Sequence, residues 1–404
     1  MKGFKAERMR EMGIDHRMRG ILAFAALGMA WTAFAATGTS AEFKIDLRGM
    51  GPWEMRAAAA SETIAYSSAW ATNAMNGANA VVKVWPAKKE KPKYIAIDLS
   101  GGTATTHYPV EYLDDVPNGG WTDEYKTSKL VLRHIPAGSF IMGGRNTDYP
   151  GAVNTNLHMV TLTKDFYMGV FEVTQRQWEL VMGNRPSAFT NETCYAMRPV
   201  EYVSHNDMRG SIRGAKWPDS SEVDDESFMG VLREKSGLIG FDLPTEAQWE
   251  YACRAGTTTA LNIGKNLTST VEDVAAGESA RYVGNSNAEQ IPKNTTININ
   301  VGASAGTAQV GLFASNDWGL YDMHGNVWEV CLDCDELIPT GDTDPLGCPT
   351  NNLRRQIRGG GYRNNAVLLI SGDHHKNSDG EGVKLSWKAN DTGFRLCLQG
   401  GEIV

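Results

Sequence analysis

The stretch Asn316–Val330, NDWGLYDMHGNVWEV, limits the folds open to this chain more than any other. It carries two tryptophans, Gly319, Gly325 and spaced acids, with neither strand alternation nor helical three-to-four spacing. Such a run reads as a loop pinned by aromatics. The same holds more widely, because 43 Gly and 11 Trp accompany 404 residues, and that Gly share exceeds the usual value of about seven per cent. Asp322 and Glu329 bracket the turn His324-Gly325-Asn326, with the carbonyls of Gly325 and Val327 between them. Carboxylates mixed with backbone carbonyls at short, irregular spacing suit Ca2+, which takes about 6–8 oxygen ligands in flexible geometry. The same two acids equally suit a turn and its solvent-facing edge.

The N-terminus reads as an export signal over residues 1–41. Ile21–Ala36 is an uncharged run of 16 residues behind Arg8, Arg10, Arg17 and Arg19. It is short for a transmembrane helix of about 20 residues. Small-residue sites at Ala33-Phe34-Ala35 or Thr39-Ser40-Ala41 suit signal peptidase; an uncleaved anchor is the competing reading. Cleavage removes six Lys/Arg and three Asp/Glu, so the net charge of −8 becomes −11. An acidic chain without a Lys/Arg stripe excludes nucleic acid as an expected partner. All six cysteines lie beyond the signal, where an oxidising compartment permits up to three disulfides. Cys331-Leu-Asp-Cys334 lacks a second CxxC or a His pair for zinc, and a structural disulfide involving Cys348 is expected.

Residues 42–128 read as a small antiparallel β-sandwich-like domain. FKIDL (43–47), AVVKVW (80–85), YIAIDL (94–99) and YPVEYL (108–113) cluster β-formers between turn residues. The middle pair is expected to form a hairpin around PAKKEKPK, and AAAASETIAYSSAW is an ambiguous short helix. From residue 129 to about 400 a second domain begins with KLVLRHIPAGSFIMGG. In it Thr174 suits the N-cap of QRQWELVMG with Gly183 as its stop. Glu172 and Thr174 read as structural hydrogen-bonders. In FDLPTEAQWEYACRAG, Thr245 and Gln248 form a capping box, and Trp249, Ala252 and Cys253 share a buried face. Glu246 and Glu250 are read as first-turn acids at a positive helix terminus.

Five segments together resemble the formylglycine-generating enzyme, or sulfatase-modifying factor, family: the opening strand, FYMGVFEVT, RPVEYVS, the PTEAQWEYA helix, and GLYDMHGNVWEV with RGGGYR and GFR downstream. The resemblance implies an α+β, C-type-lectin-like domain low in regular structure. It places Asp322, Gly325, Val327 and Glu329 on a family Ca2+ site, two through side chains and two through carbonyls. A second family Ca2+ site would have one half at Asn285 and Ser286, with no acidic half in view.

The family's oxidase binds Cu(I) through two cysteine thiolates, as a soft ion requires, and converts the cysteine of a Cys-x-Pro-x-Arg peptide to formylglycine with O2. Alignment on Arg358-Gly359-Gly360 sets Gly361 where serine is expected and puts Asn364 and Leu369 on the copper positions. Neither binds Cu(I), so copper is not expected here. Trp328, Arg358, Gly361, Arg363 and Asn364 are expected to line the family cleft and to receive a peptide, protein or glycan. The alternative is an active family enzyme, maturing sulfatases or using another metal at His374, His375 and Asp373; an exposed polar loop is the preferred reading of those three. A third alternative is a purely structural surface protein.

Overall fold

The computed structural model describes residues 91–399 apart from 212–220, 291–298, 335–342, 349–352 and 375–381; before residue 91 it describes only backbone strands. The chain divides into two compact units, Met1–Lys91 and Pro92–Val404. The first holds β1 (Gly20–Phe24), β2 (Ala41–Ile45), β3 (Met55–Ala59), β4 (Glu62–Ala65) and β5 (Ala80–Pro86) in the order β1-β3-β4-β5-β2. The stretch read as an ambiguous helix is thus the β3–β4 hairpin, with Ala59 opposite Glu62. Of the expected signal segment only β1 and the start of β2 fall among the described residues.

The second unit is built on a six-stranded sheet. Its strands include β6 (Tyr94–Asp98), β7 (Val110–Leu113), β8 (Lys129–Ile135) and β11 (Phe166–Gly169), with the hairpin β9 (Gly138–Gly144) and β10 (Thr155–Leu162) between them in the chain. β12 (Phe241–Asp242) and the late strand β18 (Cys397–Gln399) complete the order β12-β18-β11-β8-β6-β7. Here the structure departs from the expected strand pairing. The AVVKVW strand pairs with β2 and β4, whereas YIAIDL pairs with β7 and β8, Ile95 lying opposite Leu132. Two strands read as part of an N-terminal domain therefore belong to the second sheet.

Alternation places Ile95, Ile97, Leu132 and Tyr167 on one face, against helices α1 (Gln175–Met182), α2 (His205–Arg209) and α3 (Phe228–Ser236). Trp178 stacks on Phe228 there, with ring centroids 5.2 Å apart. The neighbouring residues Ile135, Phe166 and Met168 face the other way, toward helix α4 (Glu246–Arg254) and the β9–β10 hairpin. Helix α5 (Val274–Ser279) lies in a smaller core with Leu369 and Ile370. The caps follow the sequence: Thr174 forms a capping box with Gln177, and Gly183 closes α1 in the left-handed conformation. Thr245 and Gln248 do the same for α4. Beyond α5, β13 (Trp328–Val330) pairs with β15 (Ile357–Arg358) and, in parallel, with β17 (Thr392–Gly393); β14 (Arg354–Arg355) pairs with β16 (Val383–Lys384). Small sheets, few helices and long connections make the class α+β. Among the described residues no helix is long and apolar enough to cross a membrane.

Candidate functional site

The segment after β15 turns on Gly359 and Gly360, with φ of 89° and 76°. A Cβ on Gly360 would stand 2.5 Å from Leu369 Cδ2 and 2.9 Å from the Leu368 carbonyl, so only glycine fits the close approach. The turn then closes on itself, since Gly361 N–H donates to Asn364 Oδ1 at 2.7 Å. Leu369 is fully buried beside Tyr282 and Ala366, and its carbonyl bonds His324 Nδ1 at 2.6 Å. The two copper positions therefore hold a turn-capping amide and a core aliphatic side chain.

The remaining cleft residues do not form one surface. Trp328, expected to line the cleft, is buried in the main core because β13 is central to its small sheet. Arg363 Nε donates to Tyr362 Oη beside the Asn364 turn. Arg358 lies elsewhere, under α4.

Arg358 is fully buried between Glu246 and Glu250. Its Nε is 3.1 Å from Glu246 Oε1, and its Nη2 donates to Glu250 Oε2. Glu250 Oε1 accepts from Gly143 N–H at 2.9 Å and Arg254 Nε at 2.8 Å. Burial penalises this carboxylate, yet Arg254 and Arg358 outweigh it and hold its pKa below the usual range. Glu246 and Glu250, read as first-turn acids, are thus partners in a buried ion network that ties α4 to β15 and the β9–β10 hairpin.

His374 joins the network through Nδ1, 2.6 Å from Glu246 Oε1. The exposed loop expected at Asp373 and His374 is not what forms: the His374 side chain is only 15% exposed, and burial pushes the Asp373 carboxyl up to about 7. His375 lies outside the described residues. These groups border a cavity of about 260 Å3, also lined by Met142–Arg145, Asp148, Tyr149, Val153 and Ile370. Four carboxylates (Asp148, Glu246, Glu250, Asp373) face two guanidinium groups (Arg145, Arg358) around it. Asp148 Oδ1, Glu246 Oε2, His374 Nε2 and Arg145 Nη1 are buried with no hydrogen-bond partner. Each such group costs about 1–3 kcal/mol when unpaired, so the cavity has polar capacity that the fold leaves unused. Arg145 and Asp148 escape sequence reasoning because RNTDYPG reads locally as a turn; only the hairpin brings it over α4.

The acids of the Asn316–Val330 stretch form a second buried cluster. Asp322 has a φ of 54° and accepts from Gly311 N–H at 2.6 Å. Glu329 is held by Arg395 on both oxygens, at 2.7 to 3.0 Å, and by Trp249 Nε1 at 2.7 Å. Glu172 adds a third carboxylate, accepting from Asn326 Nδ2 at 2.6 Å and Val327 N–H at 3.2 Å; its hydrogen-bonding role was legible, its place beside the other acids was not. Burial, then Asp322 and Glu329, drive the Glu172 carboxyl well up. Burial lifts Asp322 to about 6, with Glu329 adding to it. Arg395 takes both oxygens of Glu329, and among the described residues no three His, Cys, Asp or Glu side chains are grouped to hold a metal ion; a cation here would rest on Asp322, Glu329 and backbone carbonyls. Gly325 (φ 78°) passes so close to Arg281 that a Cβ would sit 2.2 Å from its carbonyl. At Asn285 the arrangement differs. Its amide bonds Tyr282 N–H and the Ala280 carbonyl, and its own carbonyl takes Arg281 Nη1, so a guanidinium stands where a second cation was considered.

Of the six cysteines, Cys334 and Cys348 form the disulfide; Cys194, Cys253, Cys331 and Cys397 are buried thiols.

Residues 123–399 match the sulfatase-modifying factor enzyme 1-like domain, and the chain belongs to that family. Its fold is therefore the α+β, C-type-lectin-like one of the family. It is 31% identical over 188 residues to the chaperone protein LppX of Paenibacillus barcinonensis, across 43% of this chain and 63% of that one. It is 25% identical over 263 residues to the formylglycine-generating enzyme of Mus musculus, across 56% of this chain and 65% of the enzyme. The match thus spans less than two thirds of either relative. The formylglycine-generating enzyme of Thermomonospora curvata is 27% identical over 267 residues, 56% of this chain and 81% of the enzyme. Among solved structures, Treponema denticola variable protein 1 (24% identity, 67% of this chain and 95% of that one) superposes with a TM-score of 0.45. PvdO from Pseudomonas aeruginosa (22% identity, 67% and 94%) gives 0.46.

Proposed function

We propose that this protein is an exported family member without copper oxidase activity that binds a peptide, protein or glycan, with Ca2+ as a structural support. One observation carries the reading. Asn364 spends its carbonyl oxygen on capping its own turn, and Leu369 is sealed in the core, so no thiolate pair stands ready for Cu(I). Similarity to a protein named as a chaperone supports a partner-binding role, and a disulfide suits an oxidising compartment. Asp322, Glu329 and the carbonyls of Gly325 and Val327 would hold the Ca2+.

The test is incubation of residues 42–404, loaded with Cu(I) under air, with a Cys-x-Pro-x-Arg peptide. No loss of the cysteine mass and no retained copper are expected. Conversion to formylglycine would overturn the reading in favour of an active oxidase.

A further inference from the structure

We propose that the cavity over α4 receives a basic side chain, lysine or arginine, of a peptide partner. The inference rests on the binding reading above and names the chemistry of what is bound.

The argument begins with what the cavity lacks. Asp148 Oδ1 and Glu246 Oε2 belong to side chains that are 1% and 0% exposed, and neither accepts a hydrogen bond. His374 Nδ1 lies 2.6 Å from Glu246 Oε1, and its Nε2 is buried without a partner at the same cavity. Two unpartnered carboxylate oxygens around one cavity call for a ligand rich in donors. Of the lining acids, Glu246 and Glu250 are paired with Arg358 and Arg254, whereas Asp148 keeps one oxygen open toward the cavity. A metal ion is the competing donor-free cation, but among the described residues no three His, Cys, Asp or Glu side chains are grouped to hold one. An ammonium or guanidinium group instead brings several N–H donors at hydrogen-bond length, and about 260 Å3 accommodates such a side chain.

Arg145 explains why the ligand is a peptide rather than a free amine. Its Nη2 is fixed on the Ile141 carbonyl at 3.1 Å, and Nη1 is buried without an acceptor. A backbone carbonyl next to the inserted side chain would satisfy it. Val153, which lines the cavity, is 67% exposed at its rim. An apolar residue flanking the basic one would cover it.

The test titrates N-acetyl-arginine methylamide and N-acetyl-lysine methylamide into the protein, with the neutral isosteres N-acetyl-citrulline and N-acetyl-norleucine methylamide as controls. Saturable binding of a basic amide, at least tenfold tighter than its control, is expected. Asp148→Asn should weaken it about tenfold, with the folded state checked by circular dichroism; the comparison of charged and neutral amides in the unmodified protein needs no variant. Absence of binding, or equal binding of citrulline and arginine amides, overturns the proposal. If peptides lacking lysine and arginine still bind on an array, the general binding reading stands and the cavity's role falls. If the amides fail and no array ligand binds either, both fall.

Discussion

Glu201 shows how a single buried group couples this fold to pH. Its side chain is fully buried, and Oε1 accepts from Phe189 N–H at 3.0 Å. Burial pushes its pKa from the ordinary 4.5 to about 8, against the pull of the Phe189 and Ala188 N–H donors. Between those values the folded chain retains a proton that the unfolded chain has released. The associated stability is thus complete below about 4.5 and is lost as pH rises through about 8. Glu201→Gln should remove that loss, by an amount on the order of a few kcal/mol. Denaturant unfolding at pH 5 and pH 8.5 would show it as a smaller gap between the two midpoints; an unchanged gap would assign the pH dependence elsewhere. At this scale the sequence reveals identity but not environment. Asn364 and Leu369 speak against copper by their chemistry alone. The burial of Glu246 beside Arg358 and His374 depends on chain more than a hundred residues away, and no local pattern announces it.

Helix α4 is the element that the candidate site hangs on. It presents Glu246, Glu250 and Arg254 on one side and Trp249 and Cys253 to the core. Its start is set by Thr245 Oγ1, which accepts from Gln248 N–H at 3.1 Å, while Gln248 Oε1 accepts from Thr245 N–H at 3.0 Å. Thr245→Ala should cost about 1 kcal/mol, read as a lower thermal midpoint. A midpoint equal to the parent's would mean that packing alone fixes the helix start. The Thr245–Gln248 capping box and the Thr174 N-cap were legible because each is written within a few residues of sequence. The pairing of β6 was not, because a basic, Pro-bounded loop between two strands looks the same whether they form a hairpin or go to separate sheets. The β3–β4 hairpin was obscured for a related reason: its Ala and Ser content favours no one state, and strand partners decide.

Across the whole molecule, the Asn316–Val330 stretch meets Glu172 from β11's end and Arg395 from the closing segment, joining three distant parts of the chain. If Ca2+ offsets the charge there, chelation with EDTA should lower the thermal midpoint by several degrees, and Ca2+ but not Mg2+ should restore it, since Mg2+ gives up its waters reluctantly. A midpoint indifferent to EDTA would leave Arg395, with Lys126 near Asp322, as the cluster's counter-charge. The acid pair of this stretch was visible in sequence, and the third acid became visible only in the fold.

The order of strands in the large sheet has a consequence for the timing of synthesis. β18 lies between β12 and β11, yet it follows both in the chain by well over a hundred residues. On the ribosome, the sheet stays split until its inner member emerges, and Arg395, just ahead of that strand, arrives equally late to neutralise Glu329. Pairings of such long separation form slowly. The β11-β8-β6-β7 portion can pair before then, whereas β12 has to wait, so the last strand to be made is the one that closes the sheet.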